Sequence, residues 1–535
     1  MTPMLLHKKQ RALILRPEYP EQLTAVIPTA KTFLFRGESF VAVPHRIEET
    51  KVLRNMDFQA PSPIRYAYKW SGGKEPFAAQ IDTAEFLTLY NRAFCLNDMG
   101  TGKTLSTLWA YDFLHNEGVA DKMLVVCPLS TMERTWGDEV FINFPHLNAV
   151  VLYGSRDKRL KLLGQEADIY IINHDGLEII ASELKNRPDI NVVVVDEIAQ
   201  AGRNAQTDRW KALNLVVNKQ HPRIAWGLTG TPTPNEPTDA WAQCRLLVPE
   251  KVPPYYNRFK DSVMRQVSTY KWIARDSALD TVRNAMQPAI RFAREDCVDL
   301  PDCMEETRTV ELSPEQKKAY KDMMTHLHAE MAAGQITAVN EAVKLAKLVQ
   351  IACGVAYSPD GKEVALPAGN RIETVFEIIE EAPAKVIVFV PFIGALNAVA
   401  YELLHRLDKT AYTAAKLTGN ITGPVEVIHG GVSKNERDRI FSAFQNESSP
   451  RVIVAQPAAM SHGLTLTAAN TIVWYAPITS NETYEQANAR VSRPGQKLKQ
   501  LIVNVEGSPV ERLLYARLQK RQKTQGLLLD MIKNS

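Results

Sequence analysis

Asn97-Asp98-Met99-Gly100-Thr101-Gly102-Lys103-Thr104 sets two glycines, a lysine and a threonine at a spacing that suits a polyphosphate. Gly100 and Gly102 let the backbone turn tightly, so that several N–H groups can face one anion. Lys103 can reach the β- and γ-phosphates of a nucleoside triphosphate, and the Thr104 hydroxyl can ligate Mg²⁺. The flanks agree with this chemistry. Arg92-Ala93-Phe94-Cys95-Leu96 is a short, mostly apolar run suited to a buried strand, and Leu105 to Leu114 continues with helical spacing. Phosphates bound here would lie at a helix N-terminus.

Two further groups of residues carry chemistry. Val192-Val193-Val194-Val195 is an apolar strand that ends in Asp196 and Glu197. An ATPase needs one carboxylate there for Mg²⁺ and a second to orient or activate water. Gly227-Leu228-Thr229-Gly230-Thr231-Pro232 follows, a small hydroxyl-bearing turn that can link these acids to whatever lies across a cleft. It also reads as a helix start, with Thr231 as cap and Pro232 as first helical residue. Far downstream, Arg490 and Arg493 lie three apart, a spacing that puts both on one helical face. Arginine suits a γ-phosphate because its planar fork donates two parallel hydrogen bonds and keeps its charge. On a second α/β half opposite a nucleotide loop, the pair suits an arginine finger supplied in cis.

These residues need elements to hold them. At 535 residues the chain should contain three or four domains, taking about 150 residues each. Residues 1–68 read as a small N-terminal α+β module, with strands at 11–15, 32–35 and 40–43, a helix at 47–56 and a linker at Pro61-Ser62-Pro63. Over 69–250, continuous apolar runs at 123–127, 169–172 and 192–195 alternate with helical stretches, as in a parallel sheet covered on both faces. Residues 251–306 read as a helical insertion without such strands, and 307–370 as a strand and helices leading onward. Strand-like runs return over 371–510, at 386–390, 425–428, 452–454 and 471–475, with helices at 440–444 and 484–490, and 511–535 reads as a C-terminal helix. The fold class expected is α/β, with two parallel-sheet halves.

Composition excludes little more. Hydrophobic content of 45% and charged content of 23% are those of a soluble globular protein. No apolar run approaches the roughly 20 residues that span a bilayer, and Met1 to Arg16 lacks the apolar core of a signal peptide, so a cytoplasmic protein is expected. The six cysteines form no C-x-x-C pair, and His326 and His328 sit two apart, on different faces of a helix; neither set favours a zinc site. A net charge of +3 neither demands nor excludes nucleic acid. The basic run Arg156 to Lys161 reads as a solvated helix face, and the eight tryptophans as core or half-buried.

The order and spacing of these segments resemble the superfamily 2 helicase-like ATPases, DEAD/DEAH-box relatives of phage and bacteria among them, and most of all the Swi/Snf-type DNA translocases. Phe77-Ala78-Ala79-Gln80 resembles the adenine-reading glutamine motif, and Cys127-Pro128-Leu129-Ser130 the motif after the first crossover. Residues 292–301 are similar to the family's arginine-bearing stretch before a leucine-proline, and 310–316 to its strand-to-helix passage. His429-Gly430-Gly431 and Gly463 to Ala469 match second-lobe motifs, and Gln486, Arg490, Arg493, Gly495 and Gln496 match the final motif in spacing. Three departures stand out: the phosphate loop opens on Asn97 where helicase-like proteins have Gly or Ala; the acid motif reads Asp196-Glu197-Ile198-Ala199 rather than D-E-A-H; and Ala458 to Gly463 lacks two customary glycines.

The resemblance implies two RecA-like lobes with ATP and Mg²⁺ between them. Gln80, Asp98, Met99, Gly100, Thr101, Gly102, Lys103, Thr104 and Gly463 would hold nucleotide; Thr104 and Asp196 the metal; and Lys103, Asp196, Glu197, Gln486, Arg490 and Arg493 would act in hydrolysis. By motif position, a DNA track would run over Ser130, Asn173, His174, Pro391, Phe392, Ser461 and His462. The N-terminal module resembles small substrate-recognition domains that precede annealing helicases. The function implied is an ATP-driven translocase or helicase on duplex or branched DNA, independent of sequence, in replication, recombination or repair. Its setting would be a prokaryotic or phage-infected cell, alongside other replication or recombination proteins. An RNA helicase, a restriction-enzyme motor subunit and a nucleic-acid-binding scaffold with a vestigial ATP site are the alternatives.

Overall fold

The valine-rich and isoleucine-rich runs become strands because each residue can be buried on one face or the other of a covered sheet. In the computed structural model, residues 4–73, 75–218, 224–268, 271–297, 301–332, 338–357, 363–460, 465–493 and 495–533 are described. The chain forms two units, one of Met1–Cys297 with Gln525–Ser535 and one of Val298–Thr524.

The first unit opens on a four-stranded antiparallel sheet, β1 (Met4–His7), β2 (Ala12–Leu15), β3 (Lys31–Phe35) and β4 (Glu38–Pro44), in the order β1-β2-β4-β3. Its main sheet is parallel. The strands β5 (Arg92–Cys95), β6 (Lys122–Cys127), β7 (Ala149–Val151), β8 (Ile169–Asn173), β9 (Ile190–Asp196) and β10 (Ile224–Leu228) are joined, after the hairpin β11 (Met264–Ser268) and β12 (Lys271–Ala274), by β13 (Ala289–Ile290). The order is β13-β5-β10-β9-β6-β8-β7. Alternation along the strands feeds two cores. Leu124, Val126, Val193 and Val195 enter one, and Met123, Val125, Val192 and Val194 the other.

The second unit repeats the plan. After β14 (Cys303–Thr309) and the small hairpin β15 (Val355–Tyr357) and β16 (Glu363–Ala365) come β17 (Lys385–Phe389), β18 (Val425–Ile428), β19 (Val452–Ala455), β20 (Ala469–Trp474) and β21 (Gln500–Glu506). The parallel order is β14-β21-β20-β17-β19-β18. Val386, Val388 and Val473 face one core, and Ile387, Phe389 and Ile472 the other. Arg371 is buried beneath this sheet, paired with the fully buried Glu511 at 2.8 Å and donating to the Tyr475 carbonyl.

The reading of 251–306 as strandless is corrected. The exposed hairpin β11–β12 and the two-residue β13 lack apolar runs, and pairing with Phe94 and Cys95, not periodicity, makes β13 a strand. Among the described residues no helix is long and apolar enough to cross a membrane.

Candidate functional site

The phosphate-type loop leaves β5 and enters the helix Lys103–Asn116. Gly100 and Gly102 have φ of 84° and 80°, in the left-handed region that favours glycine. Gly102 is constrained twice, since a Cβ there would collide with the Gln80 amide nitrogen. Gln80 is held over the loop because its Oε1 accepts the Phe77 N–H at 2.9 Å, at the start of the helix Ala78–Leu89. Asn97 explains its own departure from the usual pattern. Its buried amide donates to Thr83 Oγ1 at 2.8 Å and accepts the Phe292 N–H at 2.9 Å, ties that glycine cannot make. Asp98 pairs with Arg291 at 2.8 Å and accepts the Arg294 N–H at 3.0 Å. Thr101 donates to the Asp98 carbonyl at 2.8 Å. The Lys103 ammonium rests on the carbonyls of Asn97 and Asp98, at 2.9 and 3.1 Å.

The acids stand at the end of β9, two strands away across β10. Asp196 is buried, and burial pushes its carboxyl pKa up. The Trp136 indole N–H at 3.0 Å, the nearby Lys103 charge and the Glu197 N–H at 3.1 Å oppose that shift. Glu197 has φ of 49°, left-handed for a residue with a Cβ, a conformation that costs about 1–3 kcal/mol and collects at functional sites. Its carboxylate accepts from Thr229 Oγ1 at 3.5 Å.

Thr229 in turn accepts the Thr231 N–H at 3.1 Å, and its own N–H reaches the Cys95 carbonyl at 3.1 Å. A Cβ on Gly230 would lie 3.5 Å from the Asn97 carbonyl. The loops after β5, β9 and β10 therefore meet at the carboxyl ends of adjacent parallel strands, where open α/β sheets bind ligands. Thr231 and Pro232 do not begin a helix; the next one is Asp239–Leu247, with Thr238 at its cap.

The expected DNA-track residues separate. Ser130 is exposed in the turn Leu129–Thr131. Asn173 and His174 are buried: Asn173 accepts from Arg159 at 3.2 Å, and the His174 ring meets the Asp196 carbonyl at 2.9 Å. The His174 ring braces the end of the acid strand, and Asn173 is tied instead to the buried Arg159. Burial pushes the His174 imidazole pKa down to about 4, so the ring is neutral. Arg159, read as part of a solvated face, is buried and donates to the carbonyls of Leu152 and Gly154.

In the second unit, Pro391 and Phe392 are half-buried after β17. Gln486 is buried and donates to Glu482 at 3.3 Å. Arg490 and Arg493 are not on one helical face. The helix Asn481–Asn488 ends before them, its last residue pinned by the Trp474 indole N–H at 2.8 Å. Both arginines fall in the turn that follows, Arg490 buried and Arg493 half-buried. Gln496 knits that turn by donating to the Ala469 and Val491 carbonyls at 2.8 and 3.1 Å. Ser461, His462 and Gly463 lie outside the described residues.

Arg291, Thr83 and Trp136 escaped sequence reasoning. Only Arg291 carried a signal, a charge inside the apolar stretch Ala289-Ile290-Arg291-Phe292. The donors suit a magnesium nucleotide. A lysine and a helix N-terminus face the phosphate position, and a buried carboxylate in the lysine's field fits a metal beside Thr104.

Two family descriptions match most of the chain. The family description "SNF2-related domain" matches residues 86–353, and "Helicase conserved C-terminal domain" matches residues 370–495. Protein p41 of Acyrthosiphon pisum secondary endosymbiont phage 1 is 24% identical over 81% of this chain and 94% of its own length. YwqA of Bacillus subtilis, named as an ATP-dependent helicase/translocase, is 26% identical over 75% of this chain, which spans only 43% of that relative. The SWI2/SNF2 ATPase core of Sulfolobus solfataricus, solved with dsDNA, aligns over 87% of this chain and 96% of its own at 23% identity and a TM-score of 0.41.

Proposed function

Because this chain belongs to the SNF2-related family of helicase-like, nucleic-acid-dependent ATPases, we propose that it is a DNA translocase, using ATP hydrolysis to move on or remodel duplex or branched DNA in replication, recombination or repair. The observation that carries the proposal is the convergence of Lys103, Asp196, Glu197 and Thr229 at the ends of three adjacent strands. DNA is favoured over RNA because relatives are named as chromatin-remodelling ATPases and as helicase-DNA-binding proteins.

In this reading Lys103 and the loop N–H groups bind the β- and γ-phosphates, and Gln80 reads adenine at the loop's edge. Thr104 and Asp196 hold Mg²⁺, which neutralises phosphate charge when bound. Glu197 orients the attacking water, its carboxylate steadied by Thr229. Arg490 and Arg493 neutralise the charge that develops on the transferred phosphoryl group, a role worth about 10³–10⁵ in rate in other NTPases. By motif position the DNA track runs over Ser130, Asn173, His174, Pro391, Phe392, Ser461 and His462.

Phosphate release measured with linear, forked and branched DNA, single strands and RNA tests the proposal. Duplex or branched DNA should stimulate turnover most. Lys103→Ala, Glu197→Gln and Arg493→Ala should each abolish it with the thermal transition retained. Vigorous hydrolysis by Glu197→Gln contradicts the water-orienting role, stronger stimulation by RNA selects an RNA helicase, and no hydrolysis by the wild type selects a scaffold.

A further inference from the structure

The N-terminal sheet buries one face over β2 and β4 and leaves the other partly exposed, and its edge strand β3 is exposed along its whole length. Leu13, Leu15, Val41 and Val43 point into the module's core with Leu23, Ile27 and Leu53. The register places Phe33 opposite Phe40, Phe35 opposite Glu38, Ile14 opposite Ala42 and Leu5 opposite Ile14, all on the other face. There Phe33 is 38% exposed, Phe35 56% and Leu5 64%. An edge strand with exposed aromatic rings is a liability for a soluble protein unless something covers it.

The rings pack against one another. Phe33 and Phe40 stack at 5.8 Å with 23° between their planes, and Phe35 meets Phe40 edge-on at 6.4 Å. Cations flank them: Lys31 is exposed on the same face, and the Arg36 guanidinium lies 5.4 Å from the Phe35 ring centre. Arg36 is held there by the hairpin turn, where Arg36 and Gly37 both have positive φ, 51° and 82°. Such turns favour Asn-Gly, so an arginine is retained at a cost of about 1–2 kcal/mol. The acid on this face, Glu38, is paired with Arg16 at 2.8 Å.

We propose that this face is a second nucleic-acid site, a stacking platform for the bases of an unpaired DNA strand, with Lys31 and Arg36 on its phosphates. Exposed rings beside cations bind single strands without regard to sequence, because every base has a π-face. A duplex hides those faces, so the platform acts where strands are parted. The inference rests on the DNA-translocase reading for its ligand class, but its site is separate from the nucleotide loop.

The test is fluorescence anisotropy of the full chain with labelled (dT)₂₀ and a 20-base-pair blunt duplex, alongside duplex-stimulated ATPase. Phe33→Ala/Phe35→Ala should weaken (dT)₂₀ binding about tenfold or more and leave duplex-stimulated ATPase unchanged. Lys31→Ala/Arg36→Ala should weaken (dT)₂₀ and flatten its salt dependence. Phe35→Trp should keep binding, and its emission should be quenched by (dT)₂₀. If the phenylalanine pair fails to fold, the charge pair and the tryptophan variant decide.

Binding of (dT)₂₀ within twofold of wild type, or an unquenched tryptophan, overturns the platform. A dimer dispersed by the phenylalanine pair, with (dT)₂₀ binding unaltered, assigns the face to a second copy and overturns it too. Absence of DNA-stimulated ATPase in the wild type would instead strike the motor reading, with the (dT)₂₀ comparison still deciding the platform.

Discussion

Arg291→Met should loosen the nucleotide loop by releasing Asp98 from its ion pair. Arg291 is about 6% exposed at its side chain and pairs with Asp98 at 2.8 Å, while Asp98 is 29% exposed. At an effective dielectric of about 20, two unit charges at that distance attract by about 6 kcal/mol. Removing the arginine from water offsets much of this, and the net coupling should be about 2–3 kcal/mol, the range of a hydrogen bond between charged groups. The Asp98 carbonyl also receives the Lys103 ammonium at 3.1 Å, so freeing Asp98 moves the lysine's own anchor.

Calorimetric titration with a non-hydrolysable ATP analogue, over wild type, Arg291→Met, Asp98→Asn and the double variant, measures the coupling. A penalty of about 2 kcal/mol is about a 30-fold weaker Kd, and the double variant should be no worse than Arg291→Met alone. Equal affinities in all four proteins, or strictly additive losses, would refute the idea that this pair holds the loop.

Two further outcomes follow from burial. The His174 pKa is pushed down to about 4 by burial, against about 6.5 when unfolded. The unfolded chain therefore binds more protons between those values. The stability from a neutral His174 is complete above pH 6.5 and is lost as the pH falls towards 4, by up to about 3 kcal/mol. His174→Asn should escape that loss, so the gap in melting temperature between wild type and variant should change across pH 4–6.5; a constant gap contradicts it. In the second unit, Arg371→Met strands the buried Glu511 carboxylate and should cost about 3–5 kcal/mol. Arg371→Met/Glu511→Leu should recover at least half of it by scanning calorimetry, and no recovery would show that packing, not charge, sets the penalty.

What the sequence disclosed was what local pattern encodes. Val192 to Val195 is a strand because no polar residue interrupts it, and Lys103 and Thr104 follow a turn that glycine permits. Pairings across long separations were invisible. Arg294 and Asp98 are 196 positions apart, and nothing near either hints at the other. Asn97 was legible only as a departure, since its reason, the hydroxyl of Thr83 and the amide of Phe292, comes from two other elements. Helical spacing misled at Arg490 and Arg493 because the helix ends at Asn488, whose side chain is held by a tryptophan on β20. The burial of His174 was equally hidden, since its ring meets the Asp196 carbonyl from a separate strand end.

The first unit is discontinuous, and this bears on how the protein is made. Leu528 and Leu529 belong to the same core as Val193 and Val195, yet they leave the ribosome only after the whole of Val298–Thr524. At about 5–20 residues per second, the early part of that core waits roughly ten to fifty seconds for its last two leucines. The second unit's own last core residues, Tyr515 and Leu518, emerge just before those leucines, so the half translated first is the half completed last.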